Sequence, residues 1–181
     1  MHCVNNAGYF RKKGETRMIC DLSTVLNHDG AVLDISGTVS FAEDAFGRDV
    51  SFADGVSVSG SITCRGNVLE LCAHVEGAFL ANCARCLKEL KEELSFDFSE
   101  TLVQEGEEVT DRDSVIVFAG MQIDLSDIVV SNILLHMDYR YLCSDDCQGI
   151  CPQCGADLNQ GDCGCVNDAI DPRWEKLKNF Q

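Results

Sequence analysis

Eight of the twelve cysteines in this chain of 181 residues lie in short paired motifs that are suited to metal binding. Zinc takes four ligands in a tetrahedron, and two thiolates on one tight turn supply half of such a site. The spacing therefore predicts two four-cysteine sites, which together hold two zinc ions. The predicted ligands are Cys83, Cys86, Cys143, Cys147, Cys151, Cys154, Cys163 and Cys165.

The sequence is clearer about which cysteines bind metal than about how they pair. Cys151-Pro152-Gln153-Cys154 and Cys163-Gly164-Cys165 lie close together in the chain, so we expect them to complete one site. The other site then takes Cys83-Ala84-Arg85-Cys86 with Cys143 and Cys147, and it joins the strand region to the C-terminal segment. An arrangement in which Cys143 or Cys147 instead joins Cys151 and Cys154 stays open at this point.

The remaining four cysteines, Cys3, Cys20, Cys64 and Cys72, lie outside these motifs. They have no neighbouring cysteine at the spacing of a metal-binding turn. Because cysteine outside such motifs behaves as a small hydrophobic residue, we expect these four to be buried structural residues.

The sequence contains no set of residues that suits catalysis. His74-Val75-Glu76 followed by Cys83 and Cys86 imitates the signature of zinc nucleobase deaminases. That signature separates its two motifs by a longer segment, whereas here six residues intervene and no proline precedes Cys83. The other histidines have no nucleophile or carboxylate partner at a recognisable spacing, and no phosphate-binding glycine loop is present. We therefore expect that the chain is not an enzyme.

Composition favours a cytoplasmic protein that acts through another protein. No apolar run reaches the roughly 18 residues that a membrane span needs, and the first residues do not resemble a signal peptide. In a reducing compartment, clustered cysteines hold metal more often than they form disulfides. The formal net charge of -16 repels phosphate backbones, which disfavours broad nucleic-acid binding and favours a partner of opposite charge.

Alternating apolar and polar residues predict strands with one buried face. The segments with this pattern are residues 33–41, 56–64, 69–79 and 94–102, with a short apolar run at 115–118.

Each of the first three segments carries a glycine in an inward position, at Gly37, Gly60 and Gly77. A glycine within a strand permits a bulge or a sharp bend. We therefore expect a mostly antiparallel, strongly curved sheet or a small barrel, and the alternative is that these glycines make room for bulky neighbours.

One main helix is predicted after the strands. Leu125, Ile128, Val129 and Ile133 follow at helical spacing, and Asp124 has the character of an N-cap residue. The helix is expected over about residues 124–137. Together with the sheet it places the chain in the α+β class.

The segment from Cys143 to Cys165 is rich in glycine and cysteine and poor in large apolar residues. It cannot fold by burial alone and is expected to need metal. After it, Asp171-Pro172 predicts the start of a short helix with Trp174 and Leu177 on one face. That face either packs back onto the domain or docks a partner, since tryptophan is enriched at interfaces.

Three parts are expected along the chain. Residues 1–17 form an unstructured extension or precede the true start, residues 18–140 form the β-rich domain, and residues 141–181 form the zinc-binding segment with its short helix. Lys13-Gly14-Glu15 must be encoded by a purine-rich stretch that resembles a ribosome-binding site, so we expect translation to begin at Met18.

The combination of motifs resembles the YceD-type proteins, which are bacterial and plastid proteins named for the accumulation of large-subunit ribosomal RNA. The resemblance runs from about Met18 to the C-terminus, and each short motif is less specific than the combination. The motifs are Cys83-x-x-Cys86-Leu87, Cys143-x-x-x-Cys147-x-Gly149-Ile150-Cys151-Pro152-x-Cys154-Gly155-x-x-Leu158-Asn159, Cys163-x-Cys165 and Asp171-Pro172-Arg173.

The resemblance implies a non-enzymatic cytoplasmic factor that supports 23S rRNA accumulation or assembly of the large ribosomal subunit. It supplies no catalytic residues. Because the chain is acidic, we expect it to act through a protein partner on the assembling subunit, and direct contact with rRNA stays open. Two alternatives remain: a redox-regulated zinc holdase, and a zinc-ribbon module that binds a protein unrelated to the ribosome.

Overall fold

The computed structural model describes residues 16–165 apart from 43, 44, 48, 67, 108–110, 112 and 113. In this part of the chain, helix α1 spans Ser126–His136 and a 3-10 helix spans Leu158–Gln160. The strands are β1 (Ile19–Asp21), β2 (Val32–Val39), β3 (Val50–Ser51), β4 (Val56–Arg65), β5 (Val68–Asn82), β6 (Glu89–Gln104), β7 (Ile116–Phe118) and β8 (Gln122–Asp124).

Six of the strands form the main sheet in the order β2-β4-β5-β6-β7, with β3 also paired to β5. Neighbouring strands are antiparallel except for β6 and β7, which are parallel. Ile62 and Leu71 are cross-strand partners on the buried face, whereas Ser59 and Glu76 lie on the exposed face. The period-two pattern therefore predicted the four long strands correctly, and the short apolar run predicted β7.

The expectation of a small barrel is not supported. Among the described residues, the pairing runs from β2 to β7 and nothing joins these two end strands. Two of the inward glycines instead allow close local approach. A Cβ at Gly60 would collide with the carbonyl oxygen of Cys72, and one at Gly77 would lie 2.9 Å from Cγ1 of Val56. The curvature of the sheet stays a prediction.

Helix α1 and the two-stranded sheet of β1 and β8 form the rest of the β-rich part. Ile128, Val129 and Ile133 give the helix its buried face. The main chain of Met18 holds the start of the helix, since its N–H donates to Ser126 Oγ at 2.9 Å and its carbonyl accepts from Leu125 N at 2.8 Å.

Helix α1 lies within the expected range of about residues 124–137, but its N-cap is one residue later than predicted. Leu125 is the N-cap residue, and Asp124 is the last residue of β8. The Asp124 carboxylate accepts from the N–H of Ser126 at 2.9 Å. The side chain of an N-cap residue accepts from the N–H of the second or third helical residue. Ser126 is the first helical residue, so its hydrogen bond to Asp124 is that of an Asx turn and not of a helix cap.

The chain divides into two compact units. One is drawn from residues 1–82 and 89–139, and the other from residues 83–88 and 140–181. The turn at Cys83–Lys88 therefore belongs to the second unit, although it connects β5 to β6. No helix within the described ranges is long and apolar enough to cross a membrane. The predicted helix with Trp174 and Leu177, Cys3 and residues 1–15 lie outside the described residues.

Candidate metal centres

Cluster 1 consists of Cys83, Cys86, Cys143 and Cys147, whose four sulfur atoms lie within 4.8 Å of one another. The first two come from a tight turn, in which the N–H of Leu87 donates to the carbonyl of Cys83 at 2.9 Å. The second pair comes from a turn closed by Cys147 N and the Ser144 carbonyl at 3.1 Å.

Cluster 2 consists of Cys151, Cys154, Cys163 and Cys165, with sulfur atoms within the same limit of 4.8 Å. The turn of the first pair is closed by the N–H of Gly155, which donates to the carbonyl of Cys151 at 2.8 Å. Gly155 has φ +74° and Gly164 has φ +72°, a conformation that glycine adopts without strain. Both turns thus depend on a glycine next to a ligand.

The sulfur distances test whether a tetrahedral ion fits. Four sulfurs that lie about 2.3 Å from a zinc ion are about 3.8 Å from one another. In cluster 1 the sulfurs of Cys83 and Cys147 are 3.8 Å apart, and those of Cys86 and Cys143 are 3.6 Å apart. These are the spacings of a metal tetrathiolate, so the donor set and the geometry fit one ion in this cluster.

The four thiols of cluster 1 differ strongly in acidity. Hydrogen bonds led by the backbone N–H of Cys86 lower the pKa of Cys83 to about 6. The pKa of Cys143 rises to about 12, chiefly through its side-chain hydrogen bond with Cys147. Sulfurs this close cannot all ionise unless a cation is present, because like charges oppose one another. A divalent ion supplies that charge and allows four thiolate ligands.

Cluster 2 repeats this pattern. The backbone N–H of Cys154 is the main cause that lowers the pKa of Cys151 to about 6. The pKa of Cys165 rises to about 12, chiefly because its thiol shares a hydrogen bond with the Cys154 side chain. In both clusters the first cysteine of the first pair has a pKa lowered to about 6, and one cysteine of the second pair has a pKa raised to about 12.

The two clusters differ in their exposure to solvent. Cys83 and Cys147 of cluster 1 are 0% and 2% exposed. In cluster 2 only Cys151 is buried, while Cys154 and Cys165 are exposed. Solvent and oxidants therefore have better access to the sulfurs of cluster 2.

Two polar side chains support cluster 1. The guanidinium of Arg85 donates to the carbonyls of Asp145 and Cys147 at 3.1 and 2.8 Å. The amide of Asn159 donates from Nδ2 to Sγ of Cys147 at 3.5 Å. Neither role was predicted from the sequence, although Asn159 ends the longest of the motifs that carry the family resemblance.

The structure brings all eight predicted cysteines together in two groups of four. Cys83 and Cys86 group with Cys143 and Cys147. The alternative, in which Cys143 or Cys147 joins Cys151 and Cys154, is not found. Of the cysteines expected to be structural, Cys20 and Cys64 are buried. Cys72 is exposed, so the prediction of its burial is wrong.

The histidine of the deaminase-like sequence lies in a strand, as its alternating pattern predicted. His74 belongs to β5 and faces Asp97 of β6 as its cross-strand partner. Its Nδ1 lies 2.9 Å from Oδ1 of Asp97, and its Nε2 lies 4.0 Å from Oε2 of Glu76.

The fold and the clusters define a β-rich protein with two tetracysteine centres in a separate compact unit. A family model described as large ribosomal RNA subunit accumulation protein YceD matches residues 71–181. The chain therefore belongs to the YceD family, and the predicted resemblance is confirmed. The matched range contains all eight cysteines of clusters 1 and 2.

Curated relatives come from mycobacteria and are named uncharacterized proteins. Those of Mycobacterium bovis and Mycobacterium tuberculosis are 27% identical to this chain over 159 residues, which cover 86% of this chain and 65% of the relative. One from Mycobacterium leprae is 28% identical over 141 residues, which cover 74% of this chain and 56% of the relative. The chain thus spans between 56% and 65% of the length of these relatives. No solved structure matches it.

Proposed function

We propose that this protein is a non-enzymatic zinc-binding factor that supports 23S rRNA accumulation or large-subunit assembly in the cytoplasm. The observation that carries the proposal is the family match over residues 71–181, because this range holds both cysteine clusters. The description of the family supplies the link to the large ribosomal RNA, and the clusters supply a physical reason for the cysteine motifs.

The choice of zinc as the metal rests on the ligands. Four thiolates on two tight turns form the donor set of structural zinc sites, which have no open position for substrate. Among the described residues, neither cluster includes an Asp or Glu carboxylate, which is the kind of ligand that magnesium and calcium prefer. A zinc ion in such a site holds the polypeptide in its fold and does no chemistry, which agrees with the expected lack of catalysis.

The charge of the protein favours a protein partner over naked RNA. The formal net charge is -16, and a tetrathiolate zinc centre carries a further net negative charge because four thiolates outweigh one divalent ion. Such a molecule is attracted to the basic proteins of the assembling subunit and repelled by phosphate. We propose a basic ribosomal protein or assembly factor as the partner, with an attraction that weakens as salt is added.

A deletion strain tests the proposal. Loss of the gene should lower the ratio of mature 23S to 16S rRNA and leave large-subunit precursors in a sucrose gradient. A plasmid copy of the wild-type gene should restore both. The double variant Cys83→Ser/Cys86→Ser should fail to restore them, because it removes half of cluster 1.

Cys72→Ser is the matched control, since Cys72 is an exposed cysteine outside both clusters. It should restore the ratio fully. A normal ratio and a normal gradient in the deletion strain, under slow growth and in the cold, would exclude the ribosomal role. Full rescue by Cys83→Ser/Cys86→Ser would be consistent with the ribosomal role but would show that this role does not require metal in cluster 1.

The exposure of Cys154 and Cys165 favours the redox-regulated holdase as the second candidate. Oxidation of these thiolates would release zinc and unfold the segment around cluster 2. The holdase predicts that the purified protein prevents aggregation of an unfolded client only after peroxide treatment. Equal client protection before and after treatment, or none in either state, would exclude it.

A further inference from the structure

Asn159 connects the loop of cluster 2 to a ligand of cluster 1. It lies in the 3-10 helix Leu158–Gln160, between the two cysteine pairs of cluster 2. Its Nδ2 donates to Sγ of Cys147 at 3.5 Å and to Oδ1 of Asp157 at 2.7 Å. Its Oδ1 accepts from the N–H of Gln148 at 2.8 Å. One side chain therefore contacts both the sulfur of Cys147 and the backbone of the next residue.

The position of Asn159 depends on cluster 2 being closed. In residues 151–165 Cys151 alone is buried, so the loop has almost no apolar core to hold it. A metal ion bound by the four cysteines of cluster 2 would supply the missing stability. Without that ion the loop loses its closure, and Asn159 loses its fixed distance from Cys147.

Backbone contacts place the loop against the same part of cluster 1. Leu158 N donates to the carbonyl of Gly149 at 2.9 Å, and Ile150 forms a bridge with Asp157. Ile150 N in turn donates to the carbonyl of Arg85 at 3.2 Å. These bonds orient the loop. Of the hydrogen bonds described for Asn159, the one from Nδ2 to Sγ of Cys147 is the one that ends on a sulfur of cluster 1.

We propose that Asn159 is a positioning residue that couples the two clusters, so that metal in cluster 2 raises the affinity of cluster 1 for metal. An N–H donor stabilises a thiolate and orients it toward the ion, and loss of such outer contacts typically lowers metal affinity about 10- to 100-fold. Coupling between two binding sites is reciprocal, so metal in cluster 1 raises the affinity of cluster 2 by the same factor. The inference rests on the proposed metal binding by both clusters.

Four full-length proteins test the coupling by a double-mutant cycle. They are the wild type, Asn159→Asp, Cys154→Ser/Cys165→Ser, and the triple variant that combines these changes. Each is loaded with NMR-active cadmium and titrated with a chelator while the cadmium resonances are followed. The resonance that remains in Cys154→Ser/Cys165→Ser identifies cluster 1.

Asn159→Asp keeps an oxygen that accepts from Gln148 N but removes the Nδ2 donor. With cluster 2 intact, it should weaken cadmium binding in cluster 1 by about 10-fold and shift its resonance. With cluster 2 disabled, it should have no effect, because Asn159 is already out of place. Asn159→Ala should give the same pattern without adding a charge beside Asp157.

Gln160→Ala is the matched control, since Gln160 donates to Oδ2 of Asp157 at 3.2 Å and belongs to the same 3-10 helix. It should leave the affinity and the resonance of cluster 1 unchanged. An equal effect of Asn159→Asp with and without cluster 2, or no effect in either background, would overturn the coupling. Failure of cadmium to bind at all would overturn the proposed metal binding as well, so the two failures are distinguishable.

Discussion

The guanidinium of Arg85 donates a hydrogen bond to the main-chain carbonyl of Cys147, a cysteine of cluster 1, at 2.8 Å. Arg85 lies between Cys83 and Cys86, so one turn of the cluster holds the other turn directly. The carbonyl of Arg85 also accepts from Ile150 N, and a Cβ at Gly149 would lie 2.9 Å from that carbonyl oxygen. We therefore expect the guanidinium of Arg85 to stabilise cluster 1 through these hydrogen bonds.

Arg85→Ala should therefore lower the zinc affinity of cluster 1 by about 10-fold, as loss of an outer contact does. Arg85→Lys should restore little of it, because a single ammonium does not reproduce a planar guanidinium that reaches two carbonyls. Chelator titration of the zinc-loaded protein measures this. Lys91→Ala removes an exposed cation from β6 and should have no effect. If Arg85→Ala retained wild-type zinc affinity but lost rRNA association, Arg85 would be an RNA contact instead.

Cys154→Ser should unfold the region around cluster 2 and leave the main sheet folded. Binding free energy of structural zinc is about 10 kcal/mol or more, and in a segment without an apolar core it is folding free energy. Amide NMR should show loss of dispersion for residues 151–165 and unchanged signals for β4, β5 and β6. Cys72→Ser should leave every region unchanged. Dispersed, protected amides around cluster 2 in the metal-free protein would contradict the need for metal.

Zinc affinity should fall as pH falls, because protons compete with zinc for the thiolates. In the folded clusters the pKa values of Cys83 and Cys151 are lowered to about 6, so either thiol is largely ionised at neutral pH where its cluster is formed. The pKa values of Cys143 and Cys165 are raised to about 12, so these two must lose a proton when zinc binds.

Zinc binding to cluster 1 at neutral pH should therefore release fewer protons than its four thiols could give. Calorimetry in buffers with different ionisation enthalpies counts the released protons. In the metal-free protein the lowered pKa of Cys83 favours the fold at high pH, and that contribution is lost as pH falls from about 9 toward about 6. The raised pKa of Cys143 acts in the opposite direction, and its contribution is lost as pH rises from about 9 toward about 12. Release of all four protons from cluster 1 would contradict these pKa shifts.

Peroxide should release zinc from cluster 2 before cluster 1. Cys154 and Cys165 are exposed, whereas Cys83 and Cys147 are buried. When two bound thiolates reduce one hydrogen peroxide, they form a disulfide, zinc leaves, and with two protons the peroxide yields two water molecules. Zinc release and disulfide mapping by mass spectrometry should locate the first oxidation among residues 151–165. Earlier oxidation of Cys83 or Cys147 would show that exposure does not control the order.

The long strands were predictable because each repeats the alternation many times. In β5, Leu71 and Val75 are buried while Glu76 is exposed, and the same parity places Cys72 on the exposed face. The alternation along β5 therefore predicts that Cys72 is exposed, as the structure shows. Strands β1, β3 and β8 have only two or three residues and carry no such repeat. The barrel was a wrong extrapolation, because Gly60 and Gly77 relieve local contacts and do not close the sheet.

The grouping of the eight cysteines in two clusters was predictable because two cysteines on one short turn supply half of a tetrahedral metal site. The roles of the Arg85 and Asn159 side chains were not predictable, because the atoms to which they donate belong to a residue elsewhere in the sequence. Arg85 and Cys147 are 62 residues apart, and Asn159 and Cys147 are 12 residues apart. Only folding brings each donor to the atom that it supports.

Native mass spectrometry of the protein purified from zinc-supplemented cells tests the central claim most directly. The two clusters predict a mass increase equal to two zinc ions per chain, falling to one in Cys154→Ser/Cys165→Ser and remaining at two in Cys72→Ser. A folded wild-type protein that carries no zinc, or the same zinc content in wild type and Cys154→Ser/Cys165→Ser, would contradict it.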